Sequence, residues 1–341
     1  MGRLTASQTD GKFRIVIVTN LTILIVLFFI SLCVGRYSIS LTDCVKILLH
    51  IDGETVDGTA QQVIRSLRLP RTIASALVGI SLSVSGLVFQ STFQNKLVSP
   101  DILGVSSGAC VGAAIAILLG LSSVWIGLFS FTCGIAAVCL ALFIPRLIHN
   151  QSTLALVLSG IIVGSFMNSL IGLFKFIADP TRQLAEITYW IMGSIAGVKP
   201  QEIFAVSVLV VPALAVILLL RWRINVLSLG EEEATSVGLS YRRMRLVVII
   251  CATLLTSAST SISGSIGWIG LVIPHFSRFI AGEDHRKNLP LAVLMGASFM
   301  ILADLLARTL SMNEIPLSII TGFVGTPLYI FLLWQKGVNL Q

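Results

Sequence analysis

The sequence predicts an all-α membrane protein that crosses the bilayer about ten times. Three observations carry that prediction. Of 341 residues, 55% are hydrophobic and only 11% are charged. The mean hydropathy is +0.94. Apolar runs near the ~20 residues needed to cross the hydrocarbon recur along the whole length. Soluble domains carry roughly 25% charged residues, so most side chains here face something other than water. Ten spans leave little chain over, and 1–341 reads as a single transmembrane domain.

The spans are expected at about 15–35, 72–92, 102–120, 124–143, 153–174, 201–220, 243–263, 268–281, 289–309 and 316–334. The first follows Lys12 and Arg14 like a signal sequence. Its apolar run is too long for one, and Arg36-Tyr37 stands where small residues would be cleaved, so a retained helix is expected. The eighth is short and carries Pro274, which predicts an incomplete crossing. Two outer segments read as surface helices or as caps on the bundle. Thr42 to Ile51 puts Val45, Leu48 and Leu49 on one face; Thr181 to Gly193 offers Tyr189 and Trp190 to the headgroup layer. An even number of spans puts both termini on one side. The cytoplasm is the expected side, because it gives the inner loops the larger share of the 23 lysines and arginines, from Arg3 to Lys336.

Several classes of function lack support. The net charge of +7 forms no basic face, so nucleic acid is not an expected partner. None of the six cysteines forms a C-x-x-C pair, and all but Cys44 sit in apolar runs. His50, His149, His275 and His285 are scattered, which predicts no metal site. Nothing matches the phosphate-binding loop G-x-x-x-x-G-K-[ST], so ATP hydrolysis by that route is not expected. Spacing suggests no catalytic triad.

Small residues mark helix packing: Gly104, Gly108 and Gly112 at four-residue steps, and Ser81, Ser85 and Gly86 in the second span. Asp304 and Arg308 stand four apart, share a helix face and are expected to form a structural ion pair near the outer end of the ninth span. Few other ionisable residues lie inside spans, which weighs against an ion-coupled carrier. The inner segment Leu229 to Ser240 reads as a short helix or a solvated loop. Gly230 opens it, Glu231, Glu232 and Glu233 load its first turn, and Gly238 closes it after Val237. Outside, Arg65, Arg68 and Arg71 run against the positive-inside tendency, which points to an acidic partner or to lipid headgroups.

Arg68-Leu-Pro-Arg71-Thr resembles a signature of the permease subunits of cobalamin and iron–siderophore importers, the FecCD-type ATP-binding-cassette (ABC) family. So do Gln94 to Pro100 with Gly104-Val-Ser-Ser-Gly108, and Leu229-Gly230 through Val237-Gly238. Gly264-Ser-Ile-Gly-Trp-Ile-Gly-Leu-Val-Ile-Pro-His275 matches most strongly, followed by Asp284-His-Arg286, Leu289-Pro290, Ala303 to Arg308 and Glu314-Ile-Pro316. These motifs run in order through nearly the whole chain. Lys96 departs from the proline common in the family.

The resemblance implies a type II ABC importer permease fold in a bacterial plasma membrane. It implies pairing with a second permease subunit as a homo- or heterodimer, and binding to two ATPase subunits. Those subunits use ATP–Mg, while this chain binds no cofactor. An extracytoplasmic binding protein would deliver the metal chelate. By the same resemblance Arg68, Arg71 and Arg308 receive that protein's glutamates, 230–238 is the coupling helix, and Ser152 and Thr153 lie near the cytoplasmic gate. An iron–siderophore is the first expectation for cargo, with cobalamin, haem or molybdate as alternatives. A lone ion-coupled transporter is the reading from another class, and a membrane-embedded enzyme would need a polar catalytic cluster that the sequence lacks.

Overall fold

The computed structural model describes residues 6–51, 57–150 and 152–338; Arg3 lies outside them. The chain is a bundle of helices, with no strand among the described residues. In chain order these are α1 (Ala6–Cys33), α2 (Leu41–Leu48), α3 (Gly58–Gln62), α4 (Leu69–Thr92) and α5 (Val105–Leu118). Then come α6 (Ser123–Leu147), α7 (Thr153–Ile177), α8 (Gln183–Met192), α9 (Pro200–Leu219) and α10 (Arg221–Leu227). The last are α11 (Glu231–Ser236), α12 (Tyr241–Ser263), α13 (Ile269–Ala281), α14 (His285–Thr309) and α15 (Leu317–Val338).

Seven of the described helices are long and apolar enough to cross a membrane, and Val105–Leu118, Ile269–Ala281 and Leu317–Phe331 are shorter apolar helices. Together they occupy the ten expected spans. Helices α5 and α13 are short, at 14 and 13 residues. At 1.5 Å per residue each falls short of a ~30 Å hydrocarbon layer. Most of their residues are buried in the bundle, so the chain at their ends need not meet lipid. Helices α2 and α8 lie within the two segments expected to form short helices; Ser40 caps α2 by accepting the Asp43 amide at 3.1 Å.

The second span starts earlier than the apolar run implies. Helix α3 runs through a π-helical turn, Val63–Arg68, directly into α4. Arg65 and Arg68 are therefore helical residues. Helix α10 is also absent from the sequence reading, since seven residues starting Arg-Trp-Arg carry no clear apolar period.

Helix α4 runs through the middle of the bundle and packs on α9, α12, α13 and α14. Its span is 78% buried, whereas that of α1 is 11% buried. Small residues allow this crowding. A Cβ on Gly86 would lie 1.9 Å from the Gly270 carbonyl oxygen of α13. One on Gly112 of α5 would lie 2.1 Å from the Phe129 oxygen of α6. Gly104 acts differently, with φ +77 just ahead of α5. The Gly86→Val variant should lose about 1–3 kcal/mol by forcing backbones apart. Lower yield of folded chain in a fluorescent size-exclusion assay checks this, and unchanged yield and melting would refute it. Trp268 opens α13 at φ +71, a strained value for a bulky residue, and its side chain lies against Gly325 of α15.

Candidate functional site

Charged and polar groups collect at the two ends of the bundle. At one end, α1, α4, α14 and the 310–316 loop meet around Asp304, which is 1% exposed. Arg71 Nε donates to both Asp304 oxygens, at 2.9 and 3.1 Å. Its Nη1 donates to Glu314 Oε1 at 2.7 Å. Arg308 Nε stands 3.9 Å from Asp304 Oδ2, while Nη2 donates to the Ser31 carbonyl and, at 3.0 Å, to its hydroxyl. The Asp304–Arg308 pair expected from spacing thus exists as the looser of two contacts. Arg71, 233 positions away in sequence, is the hydrogen-bonded partner. A buried carboxylate needs such donors, because desolvating a charge costs several kcal/mol.

Arg68 is turned inward and only 6% exposed. Its guanidinium donates to the carbonyls of Leu32 at 2.7 Å, Cys33 at 2.9 Å and Tyr37 at 2.5 Å. Carbonyls at a helix C-terminus lack intrahelical donors, and a cation there also complements the macrodipole. Arg68 therefore closes the end of α1. Of the three arginines assigned by resemblance, Arg71 and Arg308 share the Asp304 site and Arg68 does not. Close by, Tyr37 Oη donates to Asp57 at 2.6 Å. That bond holds the Asp57 carboxyl below its ordinary range and raises the tyrosine.

At the opposite end, α11 has the geometry of a short capped turn. Gly230 precedes it at φ +127 and Gly238 follows at φ +76, a conformation glycine adopts without strain. Leu239 N donates to the Ala234 carbonyl and Gly238 N to that of Thr235, both at 2.9 Å, which is a Schellman closure. Ala234 is buried, so the turn rests on the bundle by one methyl group. Leu229, Val237 and the three glutamates face outward. Glu231 lies 3.6 Å from Arg242 at the start of α12.

Helix α10 connects this turn to the core through contacts that the sequence did not reveal. Asn225 Nδ2 donates to Asp284 Oδ1 at 2.6 Å, and its Oδ1 accepts the His285 amide at 2.8 Å. The ring of His285 then reaches Ser91 of α4 at 2.5 Å. Asp284 caps α14 by accepting the Arg286 amide at 2.9 Å. Burial acts to raise the Asp284 carboxyl, but the Arg286 amide, the Asn225 side chain and nearby positive charge outweigh it, so it sits below its usual range. The stability it adds is present at and above the ordinary carboxylate range and is lost as pH falls through the depressed value. Ser152 caps α7, its hydroxyl accepting the Ala155 amide at 3.2 Å, and Thr153 is the first residue of that helix. Among the described residues no group of three His, Cys, Asp or Glu side chains is placed to hold a metal ion.

Among the described residues, nine apolar helices packed with a tenth, polar-studded central one, and a capped acidic turn at one end, define a multi-pass membrane protein. The chain belongs to the FecCD transport family, whose model matches residues 23–335. It is 38% identical to the molybdate import system permease protein MolB of Haemophilus influenzae, over 95% of this chain and 97% of that one. It is 36% identical to an iron chelatin transport system permease protein of Helicobacter pylori, over 92% and 97% respectively. Among solved structures, a metal-chelate type ABC transporter in an inward-facing conformation superposes with a TM-score of 0.85. The identity there is 36%, covering 94% of this chain and 98% of the other. The family is that of ABC importer permease subunits, which work with ATPase and permease partners.

Proposed function

We propose that this chain carries an iron chelate such as a ferric siderophore across the plasma membrane, powered by separate ATPase subunits at the face bearing α11. The observation that carries this reading is α11 itself: a capped turn that leaves Leu229, Glu232, Glu233 and Val237 exposed, with Glu231 near Arg242. In this reading both termini are cytoplasmic, and ATP-driven closure of the partners moves Gly230 to Gly238. The shift passes through α10, Asn225 and His285 to α4 and α14. The chain itself hydrolyses nothing and holds no cofactor. Ser152 and Thr153, at the start of α7, stand where an inner gate would close.

Helix α7 suits the wall of a passage or a subunit contact. Its exposed side combines Leu158, Ile162 and Phe166 with the polar Ser165, Asn168 and Ser169. An exposed asparagine at mid-span is unfavourable against lipid and acceptable against water or a second subunit. Uptake by proteoliposomes tests the proposal. Labelled ferric siderophore should accumulate only when the ATPase and binding protein are present; accumulation by the chain alone would overturn it. The match to a molybdate permease supports a second reading for cargo. Competition by molybdate at the binding protein separates the two.

For the outer face, we propose docking of an acidic binding protein through Arg71 and Arg308, with Arg68 holding the rim in shape. Glu314 is 38% exposed and contacts only the outer side of Arg71, so a partner's carboxylate can take its place. Glu314→Gln should then tighten docking about threefold, while Arg71→Glu should abolish it, read by surface plasmon resonance. Unchanged affinity in both would remove Arg71 from the interface.

A further inference from the structure

We propose that the face bearing α11 holds a phosphate-binding site between the end of α6 and the start of α12, fit for the headgroup of an inner-leaflet phospholipid. A cavity of about 250 Å³ lies there. Arg146 of α6 and Arg242, Arg243 and Arg245 of α12 line it, with Glu231 the single carboxylate among the lining residues. Glu231 is at ion-pair distance from Arg242 alone. The wall therefore carries an excess of positive charge beside apolar helix surface.

Arg245 makes this a built site. Its guanidinium carbon lies 5.9 Å from the ring centroid of Phe93 and 5.9 Å from that of Tyr241. Both rings belong to buried residues, so the group is fixed by cation–π contacts. Its Nε and Nη2 are buried and have no acceptor in the chain. Those two nitrogens form one side of the guanidinium fork, which matches two oxygens of a phosphate. A charged donor edge left without an acceptor is unfavourable, and an oxyanion in the cavity that the same side chain lines would relieve it.

The apolar part of the lining favours a lipid as the source of that phosphate. Leu142, Leu156, Leu246 and Ile249 line the cavity beside the arginines, and Leu246 is itself 36% exposed apolar surface. An acyl chain would follow that surface with its headgroup on the arginines, as basic pockets between inner-leaflet helix ends commonly allow. Free phosphate would use only the arginines. The position relative to the leaflet rests on the cytoplasmic placement of α11; the binding itself does not.

Native mass spectrometry of the purified full-length chain tests the site with three probes in turn: phosphatidylglycerol, diacylglycerol and inorganic phosphate. One phosphatidylglycerol should be retained, and Arg245→Gln and Arg146→Gln should each weaken it about tenfold. Arg146 is exposed at a helix end, so its variant keeps the test valid if loss of Arg245 harms folding. Inorganic phosphate that competes with the lipid, and loses affinity in the same variants, supports the site with the phosphate alone as ligand. Equal retention of diacylglycerol, or undiminished phosphatidylglycerol binding by Arg146→Gln, would overturn it. None of these readings depends on transport or on the ATPase, so they stand apart from the uptake assay.

Discussion

Asp304→Ala is expected to destabilise the chain by about 3–5 kcal/mol, the penalty for stranding buried charge. Arg71 and Arg308 both approach this carboxylate, and removing it leaves one carboxylate, Glu314, for two largely buried guanidinium groups, with Arg308 held only by Ser31. Asp304→Asn should recover part of the loss, because the amide oxygen still accepts from Arg71 while the charge is gone. Arg308→Ala should cost less than Arg71→Ala, since Arg308 holds Asp304 at 3.9 Å and Arg71 at 2.9 Å. Thermal melting of the purified variants gives the order. A melting point for Asp304→Ala equal to that of the parent chain would show that the network contributes nothing.

Replacing Glu231, Glu232 and Glu233 by glutamine together with Val237→Asp should lower uptake at least about tenfold, equivalent to ~1.4 kcal/mol at the ATPase contact. The chain should remain folded, because these side chains are exposed and only Ala234 packs inward. ATP hydrolysis by the assembled complex is expected to persist without matching transport. Gly238→Val provides a distinct control. It forces a β-branched residue to φ +76, at about 1–3 kcal/mol, and distorts the closure of α11 without altering its charge. Full uptake by both variants would mean that α11 is not where force enters.

The spans were legible because the bilayer imposes a local rule. Every backbone N–H and C=O at membrane depth must be satisfied within its own segment, so an apolar run of sufficient length becomes a helix. The α11 turn was legible for a similar reason, since Gly230, the acidic first turn and Gly238 are all local signals. Arg308 was found from Asp304 through its four-residue spacing. The attachment of Arg71 to Asp304 spans 233 positions and leaves no local trace in the sequence. Nothing in the neighbours of Arg68 foretells that α1 ends against it. Helix α10 and the Asn225–Asp284–His285–Ser91 chain were missed for the same reason, as each member looks like an ordinary loop or cap residue alone.

Sequence alone determined that this chain is a membrane-embedded helical bundle, roughly where each helix lies, and which short segment stands free on one face. Those properties follow from hydropathy and capping, which act within a few turns of a helix. Tertiary structure alone decided that α4 is the central helix and that Arg71 and Arg308 share one buried carboxylate. It also decided that Arg245 is clamped between two rings with a donor edge unused. These depend on which helix surfaces meet, and close approaches such as Gly86 on Gly270 decide that only once the whole bundle is assembled.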